Sequence, residues 1–350
     1  MKNIWWSQVT NAVQYIEDIK QCLLAEKSVF IKYSCVMPWR GVFEEELMEA
    51  VKIENAEKKF VNVHDVLEPG EYLLNEFCKK EKRAEFRPNK GHAKFLAESD
   101  DIVLHDRYLW ITATDAESVD KWSTFISEYL KERGKQRNKA VFILEGAETT
   151  GVSAKKGLKV FSFDDYIGEY DRIVFAYLAS SGIHENILLK NYVAELVSNV
   201  TGNDIELCEK CIQNYKAFLD NPESCINGIV YEAVRSDGSK YVFEKDKEEV
   251  NHLVWLSQIK TIYPYLEEYR EDFVKKHSSA IIKQLPIQTS YGETYNDPKE
   301  VELGALMFMA GQGLLMLSMT EYEKLKAYKE ARNTLSHLGI LDIYQIRGLL

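Results

Sequence analysis

Ser28-Val29-Phe30-Ile31-Lys32-Tyr33, followed by Ser34-Cys35-Val36-Met37-Pro38-Trp39-Arg40-Gly41, decides the fold of the first half of this 350-residue chain. The first six residues form a short, nearly continuous apolar run, the pattern of a strand whose two faces are both covered by helices. Similar runs recur at Phe60–Val63, Arg107–Ala113, Ala140–Leu144 and Lys159–Phe163. Helical patterns lie around them: residues 7–25 with Val9, Val13, Ile16, Ile19 and Leu23 on one face, then Phe43–Val51, Tyr72–Lys79 and Ala116–Arg133. Arg83–Ala97, polar and carrying Pro88 and Gly91, predicts a surface loop. Strands alternating with helices predict a parallel α/β sheet.

After Tyr166 the alternation stops. Asp171–Ser180, Ile187–Val200 and Ile205–Leu219 read as helices, with Asn203/Asp204 placed to cap the third. Ile229–Val234 and Tyr241–Phe243 around Ser236-Asp237-Gly238 predict a small hairpin. From Lys247 the chain is helical: Glu249–Ile262, a break or kink at Pro264, then Tyr265–Leu285. Asp297-Pro298 should open a buried helix running to about Leu317, and Thr320-Glu321-Tyr322-Glu323 should cap the next.

The order of elements over roughly residues 1–220 resembles the ATPase core of AAA+ or STAND proteins with its lid. In that family the turn after the first strand reads G-x-x-x-x-G-K-[ST], whose amides and Lys cradle phosphates and whose hydroxyl ligates magnesium. Here the turn has one Gly, no Lys-Ser/Thr pair, a Pro lacking an amide donor and a bulky Trp39. Arg40, at the start of the next helix, is the remaining candidate for an anion site. Asp115 falls where the family's metal-binding acid would lie and Glu145 where its sensor residue would. Without a phosphate loop, such acids more often cap helices or face solvent. The expectation is a sheet that has lost nucleotide chemistry, with no cofactor and no metal.

The second informative stretch is Ala331-Arg332-Asn333-Thr334-Leu335-Ser336-His337-Leu338-Gly339-Ile340-Leu341-Asp342. Arg followed by Asn, then His four residues on, near the end of the last long helix and before an apolar segment, resembles the HEPN helical domains over residues 248–350. Many of these are metal-independent ribonucleases of toxin and defence systems. The resemblance implies Arg332, Asn333 and His337 as catalytic residues. In such chemistry the RNA 2′-hydroxyl attacks its own phosphate, a guanidinium stabilises the phosphorane charge and a His moves the proton. Arg332 and His337 lie about 140° apart around a helix, and HEPN nucleases overcome this by pairing two motifs in a dimer cleft. The competing expectation is that Arg332 pairs with a neighbouring acid such as Glu267 or Glu330 while His337 caps the helix end. Spacing alone says little, because Arg87/His92 and Arg270/His277 show similar separations.

Composition sets the outer bounds. Hydrophobic residues make 45% and charged residues 28% of the chain, as in ordinary globular domains. The net charge of −11 argues against a broad nucleic-acid grip while leaving room for a local basic site. No apolar run is long enough to span a bilayer, no signal-peptide pattern opens the chain, and scattered cysteines (Cys22, Cys35, Cys78) suit reduced thiols, so a cytoplasmic protein is expected. Cys208-Glu209-Lys210-Cys211 has C-x-x-C spacing but no second ligand pair, and Cys208 falls on an apolar helix stripe, the place of a core residue. Tyr263-Pro264-Tyr265 to Arg270 reads as a packed aromatic kink rather than a base-stacking platform.

The expected architecture is α/β followed by all-α: a degenerate ATPase-like domain at 1–182, a lid-like helical segment with the hairpin at 183–247, and a HEPN-like bundle at 248–350. Two functions stand foremost, beside a third, a residual nucleotide sensor using the Pro38–Gly41 turn. One is a metal-independent endoribonuclease of a prokaryotic defence or toxin system, acting on RNA as a homodimer. The other is a non-catalytic scaffold or regulatory subunit that binds protein partners in a defence complex. Neither involves a membrane.

Overall fold

The computed structural model describes residues 2–34, 36–54, 57–64, 66–99, 102, 104–135, 139–147, 155–288, 292 and 294–350. Cys35 lies outside them. The chain divides into two compact units, residues 1–175 with 235–239, and residues 176–234 with 240–350. The segments expected as a lid (183–247) and a C-terminal bundle (248–350) therefore fall in one unit, apart from residues 235–239.

The first unit opens with α1 (Lys2–Gln8) and α2 (Thr10–Leu24), then β1 (Ser28–Tyr33), α3 (Arg40–Glu54) and β2 (Lys59–His64). It continues through α4 (Pro69–Phe77), α5 (Lys80–Ala84), a 3-10 turn at Pro88–Lys90, α6 (His92–Glu98), β3 (Arg107–Ala113) and α7 (Ala116–Arg133). The strands β4 (Val141–Ala147) and β5 (Leu158–Ser162) follow, then α8 (Phe163–Tyr166) and α9 (Glu169–Ser180), whose last residues belong to the second unit. The five strands form one sheet in the order β2-β3-β4-β1-β5, and every pairing is parallel.

Right-handed crossovers place helices according to the direction the chain travels across the sheet. The connection from β1 to β2 runs one way, and its helix α3 packs beside α1 and α2, with Phe43 against Trp110. The connections from β2 to β4 run the other way, and α4, α6 and α7 bury Leu73, Leu96, Trp122 and Ile126 with Leu109, Ile111, Phe142 and Leu144 on the opposite face. The result is a sheet covered on both sides, and β1, β3 and β4 are apolar on both faces for that reason.

Two local expectations are corrected here. Arg83–Ala97 is no simple loop: α6 buries Ala93, Phe95, Leu96 and Ala97 as an amphipathic helix against α7. On α2 the buried stripe is Ala12, Tyr15, Ile19, Cys22 and Leu23, while Val13 is 39% exposed. The large Tyr15 ring, stacked on Phe43, sets that rotation.

The second unit is helical: α10 (Ile187–Thr201), α11 (Ile205–Gln213), α12 (Tyr215–Asp220), α13 (Pro222–Glu232) and the 36-residue α14 (Lys247–Ile282). A two-residue antiparallel pair, β6 (Ile287–Gln288) with β7 (Thr294–Tyr295), a 3-10 turn at Pro298–Glu300, α15 (Leu303–Gly311), α16 (Met319–Ser336) and α17 (Ile343–Leu349) complete it. Asp204 caps α11 as expected, accepting from Leu207 N–H. The hairpin shrinks to one antiparallel bridge, between Val234 and Lys240, because Asn221 caps and Pro222 starts α13, which takes up Ile229–Glu232.

Pro264 does not end α14, which runs through it with Ile262 and Leu266 fully buried on either side. Burial of that face outweighs the lost backbone bond. Asp297 does form a capping box, yet it opens only the 3-10 turn. The helix expected to reach Leu317 stops at Gly311, because Gly313 adopts φ +71° and Leu314 N–H returns to the Met309 carbonyl. The cap of α16 is Ser318 with Glu321, two residues before the expected box.

Candidate functional site

In an open α/β sheet, ligands bind beyond the carboxyl ends of the strands, where neighbouring strands send the chain in opposite directions. That point lies between β1, whose chain leaves toward β2, and β4, whose chain leaves toward β5. The residues there come from four elements. Strand alternation puts Trp110 and Thr112 of β3 on one face, and the register that pairs Thr112 with Glu145 puts the β4 carboxylate beside them. The turn after β1 then delivers Arg40, the first residue of α3, onto the same spot.

The chain's own charges fill this spot. Arg40 Nε and Nη2 donate to the two oxygens of Glu145 at 2.8 and 2.7 Å, a bidentate fork. Arg40 Nη1 donates to Glu44 Oε2 at 2.8 Å, one helical turn on, and Nη2 also reaches Thr112 Oγ1 at 3.2 Å. Glu145 is fully buried and accepts a third bond from Trp110 Nε1 at 2.7 Å. Asn62 Nδ2 holds the other oxygen of Glu44 at 2.7 Å.

Burial opposes the Arg40 charge, but the bonds to Glu145, then the Glu145 and Glu44 charges, outweigh it and hold the guanidinium above its ordinary value. Burial, followed by the Glu145 charge, pushes the Tyr33 phenol up to about 12, and the same two causes raise Tyr15, whose buried hydroxyl has no hydrogen-bond partner. An anion bound at Arg40 would displace these carboxylates or sit beside them.

The turn itself is packed solid. Met37, Pro38 and Trp39 are buried, Trp6 Nε1 donates to the Pro38 carbonyl at 3.0 Å, and Trp39 lies 5.8 Å from Phe175. Trp39 sits at φ +46°, a left-handed conformation costly for a bulky side chain. Its carbonyl accepts from Val42 and Phe43, starting α3. The acid after β3, Asp115, caps α7 by accepting from Ser118 N–H at 2.8 Å. Glu145 neither caps nor faces solvent. Sequence reasoning noticed Arg40 and Glu145 separately and missed Glu44, Asn62, Trp110 and Thr112. Only Glu44 carries a local signal, the i,i+4 spacing to Arg40.

The tail motif is arranged differently. Arg332 is half-buried and donates from Nη2 to Glu302 Oε2 at 2.6 Å, a neighbouring acid as the competing expectation has it, though neither Glu267 nor Glu330. It lines a groove of about 260 Å³ with Glu267, Arg270, Lys299, Glu300 and Glu302, whose lining includes neither Asn333 nor His337. Asn333 is half-buried; His337 is exposed and caps α16, its N–H bonding the Asn333 carbonyl at 3.1 Å.

After the cap, Leu338 takes φ +61°, and Gly339 N–H closes on the Thr334 carbonyl at 2.8 Å. A Cβ on Gly339 would come within 2.7 Å of Thr334 Cγ2, so glycine is required there. Gln258, fully buried on α14, pairs with both the N–H and the carbonyl of Leu341. The segment after His337 is thus clamped to α14.

The remaining candidates are structural. Cys208 and Cys211 are both buried, and burial pushes the Cys208 thiol up to about 12. Among the described residues, no group of three His, Cys, Asp or Glu could hold a metal ion. No helix of the described residues is long and apolar enough to cross a membrane. Tyr269 stacks on Tyr328 at 3.8 Å, as the packed-aromatic reading expects. Arg87 binds the Ala84 and Phe86 carbonyls while His92 stacks on Phe86.

No protein-family model matches the chain, and no curated protein matches it by sequence. Among solved structures, RIF2 of Saccharomyces cerevisiae is similar at 12% identity and a TM-score of 0.29, over 68% of this chain and 91% of that one. PCH-2 of C. elegans is similar at 8% identity and a TM-score of 0.30, over 63% of each chain. Overlaps this loose carry no functional argument.

Proposed function

We propose that this chain is a non-catalytic scaffold or regulatory subunit, built on an ATPase-like α/β unit that does no nucleotide chemistry. The observation that carries this reading is the Arg40–Glu145 fork at the point where an open α/β sheet would receive its ligand. A triphosphate would meet Glu145 and Glu44 there, and the adjoining turn offers a buried Trp39 in place of free amides. The exposed apolar residues Phe308, Leu314, Met316 and Met319 in the second unit support a binding role. The proposed setting, a prokaryotic defence or toxin complex, rests on the resemblance of the tail motif. Purified protein should show no magnesium-dependent ATP hydrolysis. Turnover that Arg40→Ala abolishes would overturn the scaffold reading.

A second reading, a metal-independent HEPN-type endoribonuclease, is favoured by the exposure of His337 at the end of the helix whose Arg332 lines a groove. It requires RNA cleavage that persists in EDTA and is lost in both Arg332→Ala and His337→Ala without loss of folding. An inert wild type, with or without co-purified partners, would leave the scaffold.

A further inference from the structure

We propose that the face formed by the 79–98 segment and the end of α7 binds the phosphodiester backbone of nucleic acid without reading its sequence. Residues 79–98 carry seven basic and three acidic side chains, and residues 128–139 carry five basic and two acidic. Together they hold a net charge of +7, leaving −18 for the rest of a chain whose total is −11. An acidic protein that gathers its positive charge in this way has a local field opposite in sign to its overall one.

The fold brings residues 79–98 and the end of α7 together. Arg133 Nη1, near the end of α7, donates to the Ala97 carbonyl of α6 at 2.7 Å. Phe86 stacks on His92 at 4.4 Å and meets Phe95 at 5.4 Å, folding the basic 79–87 stretch onto α6. A shallow cavity of about 270 Å³ between α6 and α7 is lined by Lys90, Lys94 and Lys131 with Glu128 and Glu132. Lys90 and Lys94 share one carboxylate, Glu98, and the excess of positive charge on this face comes from the cations around the cavity, Lys79, Lys80 and Arg87 among them. Lys79, Lys80, Arg87, Lys90, Lys94 and Lys131 are all exposed.

The chemistry of the face selects the partner. Protein–protein hot spots are enriched in Trp, Tyr and Arg; among the described residues from 79 to 139 no large hydrophobic side chain is exposed, and the exposed Arg87 is bonded to the Ala84 and Phe86 carbonyls. Exposed cations without apolar anchors suit phosphate contacts, which position a nucleic acid without specifying its sequence. The proposal goes beyond the scaffold reading and stands independently of it, because none of these residues belongs to the Arg40 site or to the tail motif.

The test is fluorescence anisotropy of the full chain with a labelled 20-base-pair DNA duplex of arbitrary sequence. Saturable binding is expected at 50 mM salt, with Kd on the order of 1–100 µM. About four phosphate contacts would weaken it roughly a hundredfold between 50 and 200 mM salt. The triple variant Lys90→Glu/Lys94→Glu/Lys131→Glu should lose at least about tenfold in affinity. Lys240→Glu/Lys275→Glu/Lys283→Glu, an equal charge change on exposed lysines of the other unit, should cost no more than about twofold. Arg332→Ala should bind as the wild type does. Should the triple charge reversal unfold the protein, single Lys94→Ala and Lys131→Ala variants should each make the salt dependence shallower. Duplex binding that is absent at 50 mM salt, or unchanged in the patch variants, overturns the proposal. Competition by poly-glutamate as effective as by unlabelled duplex also overturns it, in favour of an acidic protein segment.

Discussion

Arg40 and Glu145 form a pair that is costly to break one side at a time. Removing one partner of a buried ion pair leaves an uncompensated charge, a loss of about 3–5 kcal/mol. Arg40→Ala should therefore lower the melting temperature markedly, whereas the double change Arg40→Met/Glu145→Leu should recover part of that loss and not all of it, because Trp110 Nε1 and Glu44 lose their partners. Thermal denaturation of the two variants checks this; equal losses in both would mean that the site depends on packing rather than on charge. A second residue-scale expectation concerns Leu338, which is 72% exposed and held at φ +61° just past the end of α16. Leu338→Gly should raise stability by about 1 kcal/mol, because a left-handed conformation costs glycine nothing and glycine is the usual residue there. At this scale the sequence is informative in part. Both Arg40 and Glu145 stand out, one in an aberrant turn and one at a strand end, but their pairing across 105 positions depends on β4 lying next to β1. Glu302, the partner of Arg332, has no local signal, since it stands 30 residues away at the entrance of a separate helix.

Among elements, α14 is where propensity and packing conflict most. Pro264 is an exposed interior residue of a continuous helix. Pro264→Ala should restore a backbone bond and stabilise the protein by about 1–3 kcal/mol; a loss of stability would mean that the proline sets a bend needed by its neighbours. Further along α14, the His277 ring lies tilted 4.5 Å from that of Phe273, and its Nε2 has no hydrogen-bond partner. Burial lowers its pKa below the ordinary 6.5, against the opposing pull of Glu321. The unfolded chain then binds the proton more readily than the folded one, so stability should fall as pH drops from 6.5 toward the folded value. His277→Phe should flatten that slope just below pH 6.5 in pH-dependent melting curves, and an unchanged slope would assign it to other groups. Below pH 4.5 a separate loss should appear, because Glu321, bonded to Lys276 and Ser318, is held down to about 2. The strands were legible because apolar runs covered on both faces leave an unambiguous pattern; β1 and β3 have the expected bounds. Elements ended by tertiary context were not legible. Arg83–Ala97 reads as polar until the apolar residues of α6 meet α7, and the end of α15 depends on the left-handed turn at Gly313.

For the whole molecule, the segment from Phe308 to Met319 leaves Phe308, Leu314, Met316 and Met319 exposed by 66, 42, 89 and 73%. That much apolar surface on an acidic chain should drive self-association or capture of a partner. Sedimentation at micromolar concentration should show a dimer, which Met316→Glu with Phe308→Glu should dissociate. A wild type that is a clean monomer would count against both the homodimer and any nuclease built on paired tails. The central claim is that the ligand crevice of the parallel sheet is closed by the protein's own Arg40–Glu145 fork and the packed Trp39 turn. Titration calorimetry of ATP with magnesium into the full chain measures this most directly. The account predicts no saturable heat up to millimolar nucleotide. Saturable binding lost on Arg40→Ala, in a variant still folded by circular dichroism, would contradict it.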